Sequence, residues 1–102
     1  MSDFSFILCA DDYGLSPAVS AGIREALAAG RINATGAMTN LPHWPVAAPL
    51  LAPHLGGAQI GVHLNLTVGA PLASAPNLAP LGKLPGLGFY LRRKSLPEAL
   101  AR

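Results

Sequence analysis

Fifty-one consecutive residues, Ile32 to Gly82, contain no Asp, Glu, Lys or Arg, and this gap is half of a 102-residue chain. Every charged side chain lies in 1–31 or 83–102. A membrane span does not explain the gap. Pro42, Pro45, Pro49, Pro53, Pro71, Pro76 and Pro80 interrupt it, as do Asn40, Asn65 and Asn77, whereas a spanning helix satisfies its backbone internally over about 20 apolar residues. A monomer built this way would leave half of its surface uncharged. Part of the stretch is therefore expected to pack against a missing C-terminal portion or against a second copy, as a homo-oligomer.

Length sets a second bound. A chain of 102 residues suits one compact domain at most and is too short for a closed eightfold βα barrel of about 250 residues. Cys9 is the single cysteine, so no internal disulfide or cysteine-based zinc module can form. The cytoplasm is the expected compartment. Asp3 precedes a short apolar run that ends in two aspartates, which is not the pattern of an export signal. A net charge of +2 is too diffuse for nucleic acid, and Arg92, Arg93 and Lys94 read as a solvated surface.

Phe4 to Ala10 (FSFILCA) is a mostly apolar run of the kind that forms a strand covered on both faces of a parallel sheet. Ser16 then offers a cap, Pro17 fits the first helical position, Val19, Ile23, Ala26 and Leu27 recur at helical spacing, and Gly30 supplies the stop. A helix over 17–29 follows. Asn33 to Thr39 is the second strand, weakened by Gly36. A short helix around 46–52 is made doubtful by Pro49. Gln59 to Leu64 is the third strand, 68–90 reads as a long Pro- and Gly-rich loop without regular structure, and Ser95-Leu96-Pro97-Glu98 has the form of a capping box opening a helix near 96. Strand, acidic turn and helix make the opening of a βα unit, so the class is α/β.

Asp11 and Asp12 follow the first expected strand, at the carboxyl end where open parallel sheets place ligands. Adjacent carboxylates repel unless a cation or shared proton compensates. Neighbouring residues at a strand end point in different directions, which suits one metal ligand and one base. A helix N-terminal pair satisfied by backbone N–H groups is the plainer alternative. His63, in Gly61-Val62-His63-Leu64-Asn65-Leu66-Thr67, is expected on the same rim. An imidazole beside a carboxylate begins a divalent metal site that still needs a third protein ligand.

Ala10-Asp11-Asp12-Tyr13-Gly14-Leu15-Ser16 followed by Gly61-Val62-His63-Leu64-Asn65-Leu66-Thr67 resembles the YdjC-like family of carbohydrate deacetylases, which includes chitooligosaccharide and diacetylchitobiose deacetylases. That family usually reads A-D-D-F-G-L-S and then G-x-H-L-N-L-T, so Tyr13 replaces a phenylalanine. The resemblance runs in order along essentially the whole chain. It implies the N-terminal part of a variant βα barrel of the polysaccharide-deacetylase type, with about three parallel strands and flanking helices, 1–102 being one partial domain. It also implies a divalent ion, magnesium or zinc, held by Asp12 and His63, with Asp11 as the general base.

The implied reaction is removal of N-acetyl groups from amino sugars or chitooligosaccharides by metal-activated water, without a covalent intermediate. The family's third ligand is a histidine well downstream, and its members are more than twice this long. His43 and His54 match no family ligand. His43 is expected at most to line the mouth of the site, and His54 to sit exposed in a loop. Asn40 and Asn65 lie near the same rim as candidate sugar contacts, with strand-end and turn hydrogen bonding as the alternative.

A phosphoacceptor receiver domain also opens on a strand ending in two acidic residues. It needs a further aspartate after its third strand, where this chain has His63. No GxxxxGK loop and no serine-hydrolase elbow are present. The remaining alternative is an inactive truncated fragment of the family that self-associates through its uncharged middle.

Overall fold

The computed structural model describes residues 5–92 except Asn77 and Pro80. The chain divides into two compact units, residues 1–63 and 64–102.

The first unit is a three-stranded parallel sheet in the order β1 (Cys9–Tyr13), β2 (Ala34–Ala37), β3 (Gln59–Val62). The α1 helix (Pro17–Ala28) connects β1 to β2, and α2 (Trp44–Ala47) with a 3₁₀ helix (Pro49–His54) connects β2 to β3. This is the α/β arrangement of parallel strands with flanking helices that the sequence leads one to expect. Ser16 caps α1, its hydroxyl accepting from the Val19 N–H at 3.1 Å, and Pro17 occupies the first turn. The expected helix over 46–52 is instead two short pieces. Pro49, which has no N–H to continue an α-helix, opens the 3₁₀ segment.

The first strand lies further along than Phe4 to Ala10. Pairing with β2 begins at Cys9, opposite Ala34, and continues through both aspartates to Tyr13, opposite Ala37. Ahead of Cys9, Asn33 stands in for a partner strand. Its Oδ1 accepts from the Leu8 N–H at 2.7 Å, its Nδ2 donates to the Phe6 carbonyl at 2.8 Å, and its backbone N–H donates to the Leu8 carbonyl. The apolar run thus supplies the approach to the strand, and Phe6 and Ile7 are exposed.

The core of this unit is Tyr13, Ile23, Ala37, Ala47 and Leu51, with Ala10, Val19, Leu27, Ile32, Trp44 and Ile60 packed against it. Fully buried Tyr13 ties three elements together. Its hydroxyl donates to the Ala47 carbonyl at 2.6 Å and accepts from Arg24 Nη1 at 3.0 Å. Trp44 meets the Tyr13 ring edge to face at 6.2 Å.

The second unit packs Leu66, Ala75 and Tyr90 around buried Leu78 and Leu84. The expected structureless loop over 68–90 holds for most of its length. Its last residues belong to α3 (Leu87–Arg92), which the glycines on either side of Leu87 obscure in the sequence. Arg92 is exposed, while Arg93, Lys94 and the expected helix near 96 lie outside the described residues. Among the described residues no helix is long and apolar enough to cross a membrane.

Candidate metal centre

The register of β1 against β2 carries an irregularity that builds the site. Ala10 pairs with Thr35 and Tyr13 with Ala37, so two residues of β1, Asp11 and Asp12, stand opposite one residue of β2, Gly36. This is a β-bulge, and Asp12 takes the left-handed conformation it needs, with φ of 73°. Aspartate tolerates that region better than most side chains but not freely. Without the bulge, a step of three residues from core-facing Ala10 would turn Tyr13 away from the core. With it, both remain in the core and the two aspartates share the place of one residue. The expectation that the aspartates follow the strand is corrected here: they lie within it, and the bulge aims them.

Two contacts pin the turn after Asp12. The Leu15 N–H donates to the Asp12 carbonyl at 3.0 Å, and the Gly14 N–H donates to the fully buried Ser20 hydroxyl at 2.9 Å. Gly14 has φ of 93°, and a Cβ there would lie 3.2 Å from the Met38 carbonyl oxygen, so both backbone and space call for glycine. At the break in the ladder, the Ala10 carbonyl accepts from Thr35 Oγ1 at 2.7 Å.

His63 is the first residue past β3, and its N–H continues the ladder to the Ala37 carbonyl at 2.9 Å. Asp12 and His63 therefore stand on the two strands that flank β2, nominally about 9.5 Å apart across two strand spacings. Their side chains close that gap: His63 Nδ1 lies 3.1 Å from Asp12 Oδ1. Gly36, on the strand between them, offers no side chain to intervene.

The contact is close without being a hydrogen bond. His63 Nδ1 is a buried atom with no hydrogen-bond partner among the described residues, although the two side chains are 34% and 45% exposed. The ring is thus open on one edge and closed on the edge that faces the carboxylate. As an N–H, Nδ1 would point past the oxygen; as a bare nitrogen, it would face a carboxylate lone pair to lone pair. Two ligands bound about 2.0–2.2 Å from one ion at roughly 90–109° are themselves about 2.8–3.6 Å apart. The observed separation fits two ligands of one cation, and an orphaned nitrogen is what such a ligand presents when considered without its ion. Among the described residues no third His, Cys, Asp or Glu completes a group of three.

Asp11 is exposed beside Asp12 in the bulge. Asn40 is half-buried in the turn after β2. His43 is half-buried at the start of α2, where its side chain makes no capping hydrogen bond. His54, expected exposed in a loop, instead ends the 3₁₀ helix and is half-buried, because Pro53 is accommodated inside that helix. Asn65 belongs to the second unit, where its side chain holds a local turn: Oδ1 accepts from the Thr67 and Val68 N–H groups, and Nδ2 donates to the Val68 carbonyl. Sequence reasoning missed Ser20 and Gly36. A glycine inside a strand is a known sign of close approach, and at Gly36 that sign was available.

Comparison with known proteins bears on the fold and the family. The YdjC-like protein family model matches residues 5–99. A carbohydrate deacetylase of Geobacillus stearothermophilus is 42% identical over 74 residues, covering 71% of this chain and 29% of that protein. A chitooligosaccharide deacetylase of Enterobacter sp. (strain 638) is 40% identical over 82 residues, covering 80% of this chain and 32% of its own length. A crystal structure from Enterococcus faecalis V583, named provisionally as a cellobiose-phosphate cleavage protein, superposes with a TM-score of 0.76 at 29% identity, over 93% of this chain and 39% of that one. The chain spans about a third of the length of the curated relatives it matches. With the paired motifs, the parallel βα layout and the family match in agreement, this chain belongs to the YdjC-like family.

Proposed function

We propose that this chain contributes the Asp-Asp and His part of a divalent-metal centre that removes N-acetyl groups from amino sugars or chitooligosaccharides. The observation that carries the reading is the 3.1 Å approach of Asp12 Oδ1 to His63 Nδ1, which has no hydrogen-bond partner among the described residues. The names of the matched relatives, carbohydrate and chitooligosaccharide deacetylases, support the substrate class.

In this reading Asp12 and His63 are the protein ligands, with zinc or magnesium as the ion. A bound divalent ion supplies Lewis acidity, lowering the pKa of water and polarising the acetamide carbonyl. Asp11, held beside Asp12 by the bulge but exposed, accepts the proton of the attacking water and returns it to the departing amine. The products are acetate and a free amino sugar. Asn40, half-buried after β2, is a sugar contact in this scheme. Two side chains alone hold a divalent ion weakly, so tight binding requires a third ligand.

Exposed Phe6, Ile7 and Val62 in the first unit support packing against further polypeptide or a second copy. Free Cys9 is compatible with a cytoplasmic setting. Acetate release from diacetylchitobiose, with zinc or magnesium added and with the oligomeric state measured alongside, tests the proposal. Where a second copy or further polypeptide supplies the third ligand, turnover abolished by Asp11→Asn and by His63→Ala is the expected result. Self-association without turnover or metal binding would favour the inactive-fragment reading.

A further inference from the structure

We propose that Gly36 is a positioning residue for the Asp12–His63 pair: the missing side chain on the central strand lets the imidazole lie across β2 within reach of the carboxylate. The proposal rests on the metal-centre reading only for the identity of what the pair binds.

Glycine is a poor choice for the middle of a central strand. It loses the most backbone entropy on folding and packs nothing against its neighbours. The backbone gives no reason for it, since Gly36 is not among the residues with positive φ. The reason lies next to it. A Cβ at position 36 would lie 3.2 Å from His63 Cβ, 3.7 Å from its Cα and 3.8 Å from its N. His63 cannot retreat freely, because its N–H is held by the Ala37 carbonyl. Relief comes from tilting the root of the His63 side chain or spreading β2 from β3, and either displaces a ring whose Nδ1 sits 3.1 Å from its partner. A metal site is sensitive to shifts of this size.

Gly61 provides the internal control. It is the β3 residue in register with Gly36, its side-chain position falls on the same face of the sheet, and a Cβ there would meet nothing within 4 Å. Two glycines paired across one ladder therefore differ in the contact with His63, and also in that Gly36 is half-buried on the central strand and Gly61 exposed on an outer one.

The test compares wild type, Gly36→Ala and Gly61→Ala of the full chain by zinc titration calorimetry, thermal melting and ring ¹⁵N chemical shifts of His63, the last with and without Asp12→Asn. Gly36→Ala is expected to keep a cooperative melt, the better strand propensity of alanine offsetting part of the cost of the His63 contact, while binding zinc about tenfold more weakly or worse. Gly61→Ala is expected to bind as wild type does. In the metal-free protein, Asp12→Asn is expected to move the His63 ring signals when made in wild type and to leave them nearly unmoved when combined with Gly36→Ala. Wild-type zinc affinity and an intact shift response in Gly36→Ala would overturn the proposal and leave the metal centre standing. A wild type that binds no zinc would overturn the metal reading, and the metal-free shifts would then decide the role of Gly36. Loss of cooperative melting in Gly36→Ala would assign the glycine to the core and also overturn the proposal.

Discussion

Replacing Tyr13 with phenylalanine, the residue the family pattern usually carries there, removes one oxygen that serves three elements. The hydroxyl donates to the Ala47 carbonyl at 2.6 Å and accepts from Arg24 Nη1 at 3.0 Å, and both Tyr13 and Ala47 are fully buried. The substitution keeps the ring and its edge-on contact with Trp44, so no cavity larger than an oxygen appears. The Ala47 carbonyl is left without its partner where water cannot replace it, while half-buried Arg24 recovers solvent. A stranded buried acceptor costs about 1–3 kcal/mol, and the rehydrated arginine adds little, giving about 2 kcal/mol in all. For a folding unit of this size that is a fall of about 8–16 °C in Tm. Circular dichroism melting of Tyr13→Phe beside wild type measures it. A fall of less than about 3 °C would refute the claim that this hydroxyl joins β1, α1 and α2.

Further outcomes follow from the bulge and from the second unit. Asp12→Gly should be more stable than Asp12→Ala by about 1 kcal/mol, because only glycine adopts the left-handed backbone at no steric cost; urea midpoints at unchanged m-value check this. Ser20→Ala strands the buried Gly14 N–H and should cost about 1–2 kcal/mol, with a parallel loss of zinc affinity because the turn after Asp12 loosens; calorimetry and urea unfolding read the two effects separately. Desolvation raises the Tyr90 phenol above its ordinary pKa of 10.0, and its hydroxyl donates to the Leu66 carbonyl. The neutral form is therefore favoured in the folded unit. Its contribution is complete below the unfolded pKa and is lost as pH rises through the raised folded value, so alkaline unfolding above pH ~10 should be steeper in wild type than in Tyr90→Phe.

The helix after the first strand was legible because its signals are local: Ser16 as cap, Pro17 in the first turn and apolar residues at helical spacing. The meeting of Asp12 with His63 was legible only as a shared rim, since spacing says which strand ends carry the two residues and nothing about their distance. The bulge was hidden. A ladder irregularity arises between strands, and in the sequence Asp11-Asp12-Tyr13 looks like the turn after a strand when it is the paired end of the strand itself. The displaced start of β1 has the same origin, because Phe6 and Leu8 have the composition of a strand but meet Asn33 where a partner strand would be. Gly36 was visible and was weighed only against strand propensity, whereas its meaning lies in a histidine 27 positions away.

The sharing of one ion by Asp12 and His63 is tested most directly by anomalous diffraction at the zinc edge from crystals of the full chain grown with zinc. The account predicts a peak about 2.0–2.2 Å from both an Asp12 carboxylate oxygen and His63 Nδ1. A zinc bound to His63 through Nε2, facing away from Asp12, or the absence of any peak between the two side chains, would contradict it.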